Sequence, residues 1–133
     1  MSLDTYIQQV DQFTDHNTAK EWFLSIGNSH SVKNSQTLRV KENFVRGCCP
    51  HCLVWCDGSK SGSSWIFRAD SENAQIKSLC KILVDTYNNL NEHQIKQIKY
   101  KNFQKITRIL DNDKQKSLQH LVNRIQKIVT ENS

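Results

Sequence analysis

The chain has 133 residues, 37% of them hydrophobic, with five cysteines and a formal charge of +5. That length suits a single domain over residues 1–133 with one core, and no stretch is long and apolar enough to span a membrane. An odd, unevenly spaced cysteine set argues against a disulfide framework and for a reducing compartment, and the N-terminus shows no basic start followed by an apolar run, so no secretory signal and a cytoplasmic location are expected.

Much of the positive charge lies in Lys96, Lys99, Lys101, Lys105, Arg108, Lys114 and Lys116, with only Tyr100 and Phe103 as aromatics among them. A nucleic-acid reader would show a denser patch or a recognisable module. A solvated helical surface is the favoured reading, and nucleic acid is not expected as a partner.

In chain order, Leu3, Ile7 and Val10 recur at helical spacing and predict a first helix. Thr18 to Glu21 reads as a capping box opening a second, with Trp22, Phe23 and Ile26 on its apolar face and Gly27 as its stop. Residues 28–37 are polar and read as a surface connection. Leu38 to Val40 and Asn43 to Arg46 predict one strand, interrupted or not; Leu53 to Cys56 a second; Ser64 to Arg68 a third. Asp57-Gly58 opens the turn between the last two, and Trp65 and Phe67 share a face. A sheet this small needs cover. Ile76, Leu79, Cys80, Leu83, Val84 and Tyr87 supply it as the clearest amphipathic helix, N-capped by Ser71. Shorter helices carry Ile95 and Ile98, then Phe103 to Leu110, and a last helix carries Leu118 to Ile128. The plan is α+β: a small three-stranded antiparallel sheet covered by helices.

Reactive groups concentrate in Arg46-Gly47-Cys48-Cys49-Pro50-His51-Cys52. Gly47 and Pro50 imply a loop, and Arg46 and His51 flank the thiols where they would favour the thiolate. Cys49 to Cys52 has the spacing of dithiol exchange motifs, but it leads into a strand rather than opening a helix. Zinc would find ligand atoms in Cys48, Cys49, His51 and Cys52; tetrahedral sites usually draw on two separated knuckles, and His30, His93 and His120 are isolated, so no metal is expected. Cys80 on its apolar stripe and Cys56 in its strand read as structural.

Asn43 to Cys48, followed by Val54-Trp55, resembles the active loop of SufE-type sulfur acceptor proteins. Ala69 to Ala74 with Ile76 to Leu79 is similar to that family's Asp-Ser-Asp start to its main helix, and Trp22 to Gly27 to its second helix; the likeness runs on through Tyr87, Leu90 and Ile95 and spans nearly the whole chain. The resemblance implies an α+β fold. It also implies a protein that binds a pyridoxal-phosphate cysteine desulfurase (SufS-like), takes sulfane sulfur from its persulfide onto a cysteine, and delivers it to iron-sulfur scaffold proteins. No cofactor of its own is implied, and the transfer is one made with a desulfurase rather than alone. By motif position Cys48 is the acceptor, with Arg46, Gly47, Asp70 and Glu72 towards the partner. Here the loop is two residues longer than usual in the family, which leaves open a sharing or replacement of the role of Cys48 by Cys49 or Cys52. Lys114 stands where the family commonly has an arginine and lacks its bidentate fork. Two rival readings remain open: a thiol-disulfide oxidoreductase using Cys49 and Cys52, which would cycle with dithiols, and a zinc- or nucleic-acid-binding module, which would show stoichiometric metal or salt-dependent binding.

Overall fold

A computed structural model describes residues 2–46 and 53–132. The helices α1 (Leu3–Val10), α2 (His16–Asn28) and α3 (Ser35–Leu38) lead through a 3-10 turn at Lys41–Asn43 to the strands β1 (Val54–Ser61) and β2 (Ser64–Ser71). Then come α4 (Ala74–Tyr87), α5 (Glu92–Gln97), a 3-10 turn at Tyr100–Phe103 running into α6 (Gln104–Thr107), and α7 (Asn112–Glu131). The class is α+β, as expected.

The sheet has two strands among the described residues, not three. Where a first strand is expected over 38–46, Leu38 ends α3 fully buried, and Asn43 Nδ2 donates to the Leu38 carbonyl at 3.0 Å, closing the 3-10 turn. An asparagine that bonds nearby backbone offers the chain an alternative to a ladder. What survives of that strand is one antiparallel bridge, Phe44 to Trp55, and the Val45 N–H on the Val54 carbonyl at 2.8 Å.

The hairpin is longer than its sequence suggests. Asp57-Gly58 opens no turn; β1 runs on to Ser61, and the chain reverses through Gly62, at φ 64°, and Ser63. A positive φ at the first residue of a two-residue loop matches the twist of the strands it joins. Gly58 lies opposite Phe67, and a Cβ there would come within 2.7 Å of the Phe67 ring. Glycine at 58 is therefore demanded by packing, while Asp57 stays in register with Arg68 and is paired to it.

Trp65 and Phe67 do share the inner face. Their rings stack at 5.9 Å and 11°, and Phe67 meets Tyr87 of α4 edge-on at 6.2 Å. The Tyr87 hydroxyl donates to the Ile98 carbonyl at 2.8 Å, so burying that ring leaves its polar end satisfied. The predicted stripe of α4 is buried at Ile76, Leu79, Cys80, Leu83 and Tyr87. Each large apolar side chain so buried contributes about 1.5–3 kcal/mol. α7 covers β1 with Leu118, Leu121, Val122 and Ile125, so both strands are backed by a helix.

Three helix signals resolve differently from their sequence reading. Asp15, not Thr18, caps α2 by accepting from the Asn17 and Thr18 N–H groups. Asn73, not Ser71, caps α4, accepting from Gln75 and Ile76. Gly27 does not stop α2, which continues to Asn28; it sits against α4, where a Cβ would meet Ser78 Oγ at 2.7 Å and the Ser78 backbone nitrogen at 2.9 Å.

Candidate functional site at the base of the cysteine loop

Gly47, Cys48, Cys49, His51 and Cys52 lie outside the described residues, and the site is built from what holds the two ends of that segment. The incoming end is fixed by the Val45–Val54 hydrogen bond. The outgoing end is fixed by Ser71, whose hydroxyl donates to the Leu53 carbonyl at 2.6 Å and accepts from the Asn73 N–H at 3.1 Å. Ser71 thus ties the start of β1, the end of β2 and the cap of α4 together at one buried point. Leu53 itself is 45% exposed and Arg46 is exposed, so both residues that border the segment stand at the protein surface.

Beside this base lies a cluster that local sequence pattern does not reveal. Arg39 reaches with Nη2 to Asp70 Oδ2 at 3.0 Å and with Nη1 to Glu72 Oε1 at 2.9 Å. Its guanidinium carbon stands 4.9 Å from the centroid of the Trp55 ring, whose edge meets Phe44. Trp55 and Asp70 are register partners, so one face of the hairpin presents a tryptophan and a carboxylate to one arginine. The planar guanidinium can serve both at once, forking to carboxylates while stacking on an aromatic face. The Asp70 hydrogen bond raises the pKa of Arg39 further. Asp70 has a side chain only 6% exposed, and its second oxygen accepts from the Ser71 N–H at 2.9 Å. Of the two acids expected to face a partner, Asp70 is therefore engaged inside the fold, and Glu72 is the exposed one.

Lys114 does not line the groove that Arg46 lines. It sits in the first turn of α7 with its N–H on Asp111 Oδ1, about 9 Å along the axis before His120. His120, Arg124 and Lys127 of α7, by contrast, share a groove with Arg46.

The two cysteines outside the loop are both buried. Burial pushes the Cys56 thiol up to about 12, against a smaller opposing pull from Arg124. Cys80 is fully enclosed in the core. A buried thiol that resists ionisation is a poor nucleophile, because the thiolate is the reacting species. His30 is buried too, with Nε2 2.7 Å from the Ala69 carbonyl, a structural tie between the end of α2 and β2. Past Cys52 the chain enters β1 after Leu53, so no helix N-terminus follows the Cys49–Cys52 pair to lower a thiol pKa, which weighs against the dithiol-exchange reading. Among the described residues no three His, Cys, Asp or Glu gather as metal ligands, and no helix is long and apolar enough to cross a membrane.

Arg39, Ser71, Arg124 and His120 are the residues that sequence reasoning missed as parts of this region. Arg39 meets its acids 31 and 33 positions away, across a fold that no local spacing encodes. Over residues 4–129 the chain matches the family described as SufE: Fe-S metabolism associated domain. No curated protein matches it.

Proposed function

The chain belongs to the SufE family, whose domain is associated with Fe-S metabolism, and from that premise we propose that it is a single-domain sulfur acceptor. It takes a sulfur atom from the persulfide of a pyridoxal-phosphate cysteine desulfurase onto Cys48 and passes it to an iron-sulfur scaffold protein. The observation that carries this reading is the family match across almost the whole chain. Two features support it further: the remaining cysteines, 56 and 80, are buried, and the exposed residues Arg46 and Leu53 that border the cysteine segment are held next to the buried Val45–Val54 and Ser71 hydrogen bonds.

The chemistry needs little beyond an accessible thiolate. The Cys48 thiolate attacks the terminal sulfur of the donor persulfide; a new S–S bond forms, the donor S–S bond breaks, and the donor cysteine leaves as thiolate, with no net oxidation. Arg46 and His51 favour the attacking form by proximity in the chain. Cys49 and Cys52 act as neighbours that can attack the loaded persulfide, releasing sulfide and leaving a disulfide. Glu72, the exposed acid beside the loop base, and Lys114 at the start of α7 are the further residues proposed to meet the desulfurase.

The test is mass spectrometry with peptide mapping after incubation with a cysteine desulfurase and cysteine. One added sulfur atom is expected on Cys48. Cys48→Ser should abolish loading, Cys49→Ser and Cys52→Ser should give intermediate loading, and Cys80→Ser should leave it intact. Sulfur found on Cys49 or Cys52 in an active Cys48→Ser protein would move the acceptor within the loop. No loading of any variant would defeat the proposal.

A further inference from the structure

The stretch 41–46 and the helix α7 enclose an open groove of about 470 Å³ directly beside the incoming end of the cysteine loop. Its walls carry Lys41 and Arg46 on one side and His120, Arg124 and Lys127 on the other, against a single acid, Glu42. Five basic residues elsewhere are matched by acids: Arg39 by Asp70 and Glu72, Arg68 by Asp57, Lys81 by Asp85, Lys96 by Glu92, and Lys105 by Asp11. In the groove, Lys127 has only Glu131 at 3.8 Å, with both side chains more than 60% exposed, and no acid among the described residues pairs with Lys41, Arg46 or Arg124. An exposed pair of that kind contributes little. Arg124 is held in place by donating from Nη2 to the Glu42 carbonyl at 2.9 Å, while its buried Nε has no hydrogen-bond partner among the described residues.

We propose that this groove docks an acidic segment of a partner protein, laid along α7 beside the cysteine loop. His120, Arg124 and Lys127 follow at i, i+4 and i+7, so they share one helix face and set out an imidazole and two cations over about 10 Å. Charge strung along a trough suits successive carboxylates of an extended chain; a small anion would call for donors converging on one point. Among the described lining residues Phe44 is the one large aromatic, and its ring is engaged with Trp55, which leaves no platform for stacking nucleic-acid bases. Arg46 precedes Cys48 by two residues, at most about 7 Å of extended chain, so a segment seated here lies within reach of the proposed acceptor. That consequence for sulfur transfer rests on the proposed function; the binding itself does not.

Fluorescence polarisation with a labelled octaglutamate peptide tests the docking on the full chain, without desulfurase or sulfur. The expected result is salt-sensitive binding that the Lys41→Glu, Lys127→Glu double variant weakens by about tenfold or more, since like charges facing each other oppose association. Both positions are exposed, so the fold should survive, with unchanged circular dichroism as the check. A control with the same charge change elsewhere, Lys99→Glu with Lys101→Glu, should bind as the parent does. Equal loss in the control would show diffuse attraction and overturn the site. Displacement of the peptide by millimolar inorganic phosphate would make it a small-anion site, and tighter binding of a labelled oligothymidylate would make it a nucleic-acid groove; either result overturns the proposal. Failure here leaves sulfur loading of Cys48 untouched, and failure of loading leaves peptide binding untouched.

Discussion

Replacing Gly27 by alanine tests how closely α2 and α4 approach. On an exposed helix the change should stabilise by about 1 kcal/mol, because glycine loses more backbone freedom on folding. Here the new methyl carbon would stand 2.7 Å from Ser78 Oγ, 2.9 Å from the Ser78 nitrogen and 3.1 Å from the Ala74 carbonyl oxygen. Two of those three atoms are backbone of α4, fixed by the Asn73 cap and by buried Ile76 and Leu79. The helices must separate by several tenths of an ångström, and overpacking of this kind costs about 1–3 kcal/mol, occasionally more. The Gly27 N–H also donates to Ser78 Oγ at 3.0 Å, a bond worth about 1 kcal/mol that the separation weakens. The propensity gain offsets part of this, so Gly27→Ala should lower stability by about 2 kcal/mol and Tm by roughly 6–10 °C for a domain of this size. Urea unfolding followed by tryptophan fluorescence, with Trp65 buried as the reporter, gives the difference at unchanged slope. Adding Ser78→Ala removes the nearest atom but leaves both backbone contacts, so the double variant should recover no more than about 1 kcal/mol. A Gly27→Ala protein as stable as the parent, or more so, would refute the close approach.

Arg39→Ala should destabilise by about 2–4 kcal/mol in thermal unfolding, because it leaves the Asp70 carboxylate buried without its cation; Arg39→Lys should recover only part, since an ammonium cannot fork to Asp70 and Glu72 while stacking on Trp55. Cys56 should resist iodoacetamide at pH 8 in the folded protein and react after denaturation. Its folded thiol, pushed up to about 12, also keeps a proton that the unfolded chain releases near 9, so stability should fall as pH rises through that window, and Cys56→Ala should flatten the fall in pH-dependent urea midpoints.

The parts of the fold legible in the sequence were those whose signal is periodic. The α4 stripe from Ile76 to Tyr87 and the α7 face from Leu118 to Ile128 repeat at helical spacing over several turns, and burial agrees with them. Glycine misled in both places where it mattered, because Gly27 and Gly58 answer to atoms of α4 and β2 and only look like punctuation along the chain. The missing first strand failed for a related reason: Phe44 and Val45 have strand character, but Asn43 folds the backbone before them into a turn. The cysteine segment was visible as residue chemistry. The Arg39 cluster and the basic groove were not, since each is assembled from stretches about thirty or more residues apart.

Val45 and Val54 are joined by one hydrogen bond, and eight residues separate them in the chain. That bond fixes where the span begins and where it ends. Growing such a span from six residues to eight raises the entropy cost of closing it by about 0.3 kcal/mol, because that cost rises only with the logarithm of length. The length of the span is thus almost decoupled from foldability. Residues can be added to it or removed from it, thiols among them, while the Val45–Val54 bond and the pairing of β1 with β2 stay as they are.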